Sequence, residues 1–360
     1  MRNTIPALTG IRFVAAFMVL LNHLVPVTGM GWFDELIKSM NVGVTIFFVL
    51  SGFLIAFRYF DEYAENPKWK RQYVVYRVAR VFPMYALVTC GTFIVLWHSA
   101  KDPRELMKTF VLNLTMLRGF SGKYVYTGVS QGWTLTVEEV FYFLAPFIFL
   151  WSRKIPLLLQ TLLFLLFGLA TLYWSGLMSV REVWICTFFG RSFEFLCGIY
   201  LFFVIRKGTF KPRFRVTWVA GLLALGLIVV LSRLSYAPYT YAIQNPIGLG
   251  VNIYILPVAI ALLFWGLIHE RTWLQRMLST KVFEVLGRSS YTLYLIHYGA
   301  FTGLIHSYIT KNFFLVVLIL QVTAILAWKF IEEPLNHYIK DAFRRRKPGP
   351  HPPVAKSNVL

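Results

Sequence analysis

Apolar runs of about twenty residues, separated by short polar segments, recur from one end of the chain to the other. A run of that length crosses the ~30 Å hydrocarbon core of a bilayer as a helix. The pattern predicts ten spans, near 10–29, 42–60, 81–99, 131–151, 155–174, 184–205, 216–232, 246–268, 290–309 and 313–331, with 131–151 the least hydrophobic. The fold class expected is an all-α membrane protein, a polytopic bundle of about ten transmembrane helices. The bundle occupies residues 1–340, and a basic, disordered tail follows over 341–360. The longest polar interruption, 100–130, is too short for a separate catalytic domain, so a small-molecule site belongs between helices or at their mouths. The first span has no clean small-residue cleavage site and is read as retained.

Composition agrees. Of the 360 residues 57% are hydrophobic and only 14% charged, against about 25% charged in soluble domains. The net charge of +20 does not point to nucleic acid, because the basic residues sit in short loops between the apolar runs. With the N-terminus inside, the cytoplasmic segments hold 25 of the 36 Lys and Arg and the external ones 9. That bias places both termini in the cytoplasm, and the localisation expected is a bacterial inner (cytoplasmic) membrane. The three cysteines fall in or beside apolar runs with no disulfide or zinc spacing, so no metal is expected.

Ionisable residues at membrane depth are costly and usually face a bundle interior or a wet cavity. Arg12 and His23 share the first span, eleven residues apart and therefore on one helix face about 16 Å from each other. Glu138, Phe141 and Tyr142 share a face of the fourth span behind Trp133. Glu138 is either a carboxylate that orients or charges a base, or an interfacial cap beside a belt tryptophan. Arg191 and Glu194 stand at i, i+3 and pair within one helix or bind substrate. Arg77 and Arg80 lie where a loop meets the cytoplasmic surface, as phosphate ligands or as topology anchors. Tyr294 and His297 are one turn apart, where a tyrosine–histidine hydrogen bond at a helix interface is the bland alternative.

These stretches together resemble acyltransferase family 3, membrane proteins that O-acylate carbohydrates and related acceptors. The resemblance runs over about residues 5–340. It rests on Leu8-Thr9-Gly10-Ile11-Arg12 with His23, on Gly43-Val44-Thr45-Ile46-Phe47-Phe48-Val49-Leu50-Ser51-Gly52-Phe53, on Arg77 with Arg80, and on Trp133-Thr134-Leu135 with Glu138, Phe141 and Tyr142. Arg191 with Glu194, Tyr291 with Tyr294 and His297, and Glu332-Glu333-Pro334 complete the series. Thr134 stands where serine is more usual, which keeps the hydroxyl. No esterase-like domain follows the helices, as it does in some members, so the chain is expected to complete transfer itself or to hand the acyl group to a partner.

The resemblance implies a ten-helix module with acetyl-CoA as cytoplasmic donor, and roles for Arg12, His23, Arg77, Arg80 and Glu138. The expected reaction moves an acetyl group to a hydroxyl of a cell-surface glycan, free or lipid-linked, such as lipopolysaccharide O-antigen. Donor phosphates would meet Arg77 and Arg80. His23, near the bilayer midplane, would act as general base or acyl relay, Arg12 would hold phosphate or thioester charge, and Glu138 would orient His23 or bind the sugar. The alternatives are a transporter or flippase of a lipid-linked glycan, a non-catalytic assembly subunit, and an acyltransferase acting on an exopolysaccharide or macrolide-type acceptor.

Overall fold

A computed structural model describes residues 5–26, 28–65, 69–97, 101–151, 154–235 and 241–345. Helix α1 spans Pro6–Leu24. Its proline sits at the start, where a missing N–H costs nothing, and it stops because Pro26 disfavours helical backbone at Val25 (ψ 121°). Helix α2 (Gly31–Lys38) leads through a 3-10 turn into α3 (Gly43–Glu65), followed by α4 (Trp69–Trp97) and α5 (Pro103–Leu114). A loop over 115–132 precedes α6 (Trp133–Trp151), and α7 (Leu157–Gly168) continues through a π turn to Tyr173. Then come α8 (Val180–Cys186), α9 (Phe188–Lys207), α10 (Val216–Arg233) and α11 (Pro246–Gly250), which joins α12 (Leu256–His269) through a second π turn. Helices α13 (Trp273–Leu278), α14 (Lys281–Ile296), α15 (Ala300–Tyr308) and α16 (Phe313–Ala327) follow, and a third π turn, Trp328–Glu332, carries α16 into α17 (Glu333–Arg345).

Among the described residues there is no strand. Eight helical runs among them are long and apolar enough to cross a membrane, and Leu157–Tyr173 is a shorter apolar helix. The ninth expected span, 290–309, is broken. Helix α14 ends at Ile296, and Gly299, at φ 92°, turns the chain before α15. Leu222 and Leu225 on α10, and Phe314 and Leu318 on α16, are exposed, as suits a surface that faces hydrocarbon.

Four placements correct the sequence reading. His23 lies in the last turn of α1, not near its middle, because Pro26 ends the helix early. Arg77 and Arg80 sit inside a continuous 29-residue helix and not in a loop. Arg58, counted among the cytoplasmic basic residues although it falls at the end of the predicted span 42–60, is inside α3. Glu332, placed beyond the last span, is buried in the helical run Phe313–Arg345. That run also crosses the expected boundary at 340, so residues 341–345 are helical, and the tail from 346 lies outside the described residues.

Helix α3 packs most extensively on α9, and α1 on α14. The first contact is aromatic, with Phe48 and Phe195 stacked at 4.7 Å and Phe195 on Phe141 at 4.4 Å. The second depends on a missing side chain at Gly287 of α14, and the seat of α1 on α13 depends on another at Gly10. A Cβ on Gly287 would stand 1.9 Å from the carbonyl oxygen of Thr9, and one on Gly10 2.2 Å from that of Leu278. Small residues of this kind let helix backbones approach in a membrane, where packing drives association. Replacing Gly287 with valine is expected to push α1 from α14 and cost about 1–3 kcal/mol, read as a lower thermal midpoint of the detergent-purified protein. An unchanged midpoint would show that the two helices are not locked there.

Candidate functional site

The site is built along α6, whose Thr134, Glu138 and Tyr142 form successive rungs about 6 Å apart on one face. At the first rung three helix ends meet. His23 Nδ1 lies 2.9 Å from His297 Nε2, with the rings stacked at 5.1 Å and Tyr298 stacked on His23 at 4.9 Å. His297 is inaccessible, while His23 is half-buried. The Tyr294 hydroxyl turns away from His297 and lies 2.9 Å from Thr134 Oγ1 and 3.1 Å from the Gln131 carbonyl oxygen. The hydrogen bond to His297 Nδ1 involves the Tyr294 backbone oxygen instead, at 2.8 Å.

Gln131 holds this end together. Its Nε2 donates to the carbonyls of Leu295 (2.5 Å) and Tyr298 (3.2 Å), which lie where a helix leaves its last carbonyls without backbone partners. The loop that delivers Gln131 is stapled by Arg118, which is wholly inaccessible. Its guanidinium donates to Asn113 Oδ1 (2.8 Å) and to the backbone oxygens of Thr127 and Val129, the last at 2.6 Å. Outside the bundle, Lys123 and Tyr124 hydrogen-bond Glu105 and hold its carboxyl below the usual range.

At the second rung, half-buried Glu138 accepts from Ser51 Oγ (2.8 Å) and from the Tyr142 hydroxyl (3.0 Å). Its hydrogen-bond partners among the described residues do not include His23, whose ring meets His297. Orientation of His23 by Glu138 is therefore not the arrangement seen.

The third rung carries the cations. Arg77 packs over the Tyr142 ring (5.5 Å) and the Tyr59 ring (5.2 Å) and donates to the Tyr59 hydroxyl at 3.1 Å. Its Nε is buried and has no hydrogen-bond partner among the described residues. Arg80 pairs with buried Glu332, which also accepts from Thr292 Oγ1 at 2.8 Å. Arg12 lies in the electrostatic field of Arg58, Arg80, Glu138 and Tyr142, and Lys340 in that of Arg58, Arg77 and Arg80. Among the described residues Arg12, Arg58 and Arg77 form no salt bridge with a carboxylate. A cluster of half-buried cations short of anions suits a polyanionic ligand.

Two expected residues stand apart from this line. Arg191 and Glu194 form a bidentate pair, Nε to Oε2 at 2.5 Å and Nη2 to Oε1 at 2.7 Å, almost wholly inaccessible. The same Nη2 donates to Thr45 Oγ1 (3.2 Å), whose hydroxyl donates to Asn252 Oδ1 (3.0 Å). The network braces α9 against α3 and the π turn before α12. Trp133, the first residue of α6, packs half-buried against the main core.

With this geometry described, comparison with known families is specific: the acyltransferase domain model matches residues 5–331. The chain belongs to this acyltransferase family. Similar proteins include a peptidoglycan O-acetyltransferase of Listeria monocytogenes, 24% identical over 93% of this chain and 56% of its own length. An O-acetyltransferase of Staphylococcus aureus is 25% identical over 92% of this chain and 57% of its own. The chain thus spans a little over half the length of these curated relatives. No solved structure matches.

Within this acyltransferase fold, sequence reasoning gave no site role to Gln131, Arg118, Arg58 or Glu332, although Glu332 is among the motif residues. Arg58 and Glu332 carried a usable signal, since Arg58 lies within the predicted span 42–60, Glu332 adjoins the last span, and helix periodicity does not stop at the last apolar residue. Gln131 and Arg118 carried none, because their partners are backbone carbonyls that only the folded loop and helix ends bring near.

Proposed function

We propose that this chain transfers an acetyl group from acetyl-CoA, entering at the arginine end, to a hydroxyl of a cell-surface glycan held at the histidine end. The observation that carries the reading is the two-ended site. Cations short of anions sit at one end of α1 and a histidine pair at the other, joined by the rungs of α6. The bias of Lys and Arg toward one set of loops supports a cytoplasmic arginine end.

Acetyl-CoA supplies an acyl thioester, and the residues present fit its charge. Among the described residues Arg12, Arg58 and Arg77 offer guanidinium groups without salt-bridge partners, and Arg77 Nε is an unpaired buried donor. At the other end His23 takes the proton of the acceptor hydroxyl as the new C–O bond forms and the C–S bond breaks, and the proton returns to the departing thiolate. Acylation of His23 itself, followed by transfer, uses the same residues. The relative named for peptidoglycan puts that glycan ahead of lipopolysaccharide O-antigen as the acceptor to test first.

The test is transfer of radiolabelled acetyl from acetyl-CoA to glycan by purified protein in proteoliposomes. Movement of an unmodified glycan across the bilayer without acetylation would favour a flippase and overturn the reading. Arg77→Ala is expected to raise the apparent donor KM about tenfold or more, the scale of one charged hydrogen bond, with a smaller fall in kcat. An unchanged donor KM would make Arg77 a topology anchor. Arg80→Ala differs, since it strands Glu332, and is expected to lower stability as well.

A further inference from the structure

We infer that His297 is a positioning residue that locks the tautomer of His23 and leaves His23 Nε2 as the basic nitrogen. This rests on the reading of His23 as the base. The Tyr294 backbone oxygen can only accept, so His297 Nδ1, 2.8 Å away, carries the ring proton. A neutral imidazole has one such proton, so His297 Nε2 is an acceptor. A second proton would place an unpaired charge on a fully inaccessible ring, which is costly. The atom facing that acceptor at 2.9 Å is His23 Nδ1, which must therefore donate. The lone pair of the His23 ring is then on Nε2, which has no hydrogen-bond partner among the described residues. Of the two rings, the one left with a free basic nitrogen is the one that is half-accessible.

The lock is itself held in place. Gln131 ties the Leu295 and Tyr298 carbonyls on either side of His297, and the Tyr298 ring limits rotation of His23 by stacking on it. When His23 Nε2 takes the acceptor proton, the Nδ1–H of the resulting cation still points at His297 Nε2. The bond strengthens as charge develops, so its effect falls on the transition state and not on donor binding.

Two amides separate this role from packing. A glutamine at 297 can place its carbonyl oxygen near the Nε2 position and accept from His23. An asparagine can replace only the Nδ1–H anchor. In full-length protein in proteoliposomes, assayed with acetyl-CoA and glycan, His297→Gln is expected to keep kcat within about tenfold of wild type. His297→Asn is expected to lose about 10²–10⁴-fold, the scale of losing a correctly protonated base, with both KM values unchanged. ¹⁵N NMR of histidine-labelled wild-type protein is expected to show His23 protonated at Nδ1 and bare at Nε2. Equal kcat in the glutamine and asparagine variants, or a bare His23 Nδ1 in the wild-type spectrum, overturns the inference. A wild-type rate in His23→Ala overturns the base reading beneath it, so the two failures are distinguishable.

Discussion

Replacing His23 with alanine is expected to lower kcat for acetyl transfer by about 10²–10⁴-fold, the usual contribution of a positioned base. The donor KM should change little, because His23 lies about 16 Å along α1 from Arg12 and the cation cluster. The stability cost should be modest. Truncation leaves His297 Nε2 without its partner, and a buried group stranded in this way costs about 1–3 kcal/mol. The check is initial rates at saturating acetyl-CoA, normalised to folded protein by gel filtration. Full activity at normal protein level would remove His23 from the chemistry. Rapid quench followed by mass spectrometry separates its two roles: acetyl found on His23 marks a relay, and its absence in an active enzyme marks a base.

The second large effect is on stability. Arg191→Met is expected to destabilise the protein by about 3–5 kcal/mol, because it leaves the Glu194 carboxylate inaccessible and without its bidentate partner. The double replacement Arg191→Met, Glu194→Leu should cost much less, since removing both charges removes the uncompensated one. Thermal unfolding of the three proteins in one detergent reads the difference as a gap between single and double variants. A double variant no better than the single would mean that the pair is not simply a neutralised strut. A single variant of normal stability with a raised acceptor KM would move Arg191 into substrate binding.

Much of the site could be read from the order of residues because helix geometry is local. A run of apolar residues is a span whatever surrounds it. Arg12 and His23 share a face because eleven residues make almost three whole turns, and Arg191 meets Glu194 because three residues make nearly one. The rungs Thr134, Glu138 and Tyr142 follow from the same period. Where the reading slipped, a local rule was stopped at the wrong residue. Hydropathy extended the first span past Pro26 and put His23 at mid-depth, and it ended the last span one residue before Glu332.

The tertiary structure decided who meets whom. His23 and His297 are 274 positions apart, and Arg80 and Glu332 are 252 apart. No periodicity connects such residues. Their contacts depend on the way α1 seats on α14 through Gly287 and on α13 through Gly10, and on a π turn that carries Glu332 into the bundle. Packing of α3 on α6 gave Glu138 to Ser51, beside the local bond from Tyr142 one turn on, instead of to His23, and helix packing divided two arginines that look alike in sequence. Arg80 is neutralised by Glu332, whereas Arg77 keeps a buried donor without a partner among the described residues. The sequence by itself determined an all-helical membrane chain and the faces of its helices, since those follow from composition and a 3.6-residue period, and its ordered motifs carried the family resemblance. The partners of each polar group came only from helix packing, because hydrogen bonds form through space and not along the chain.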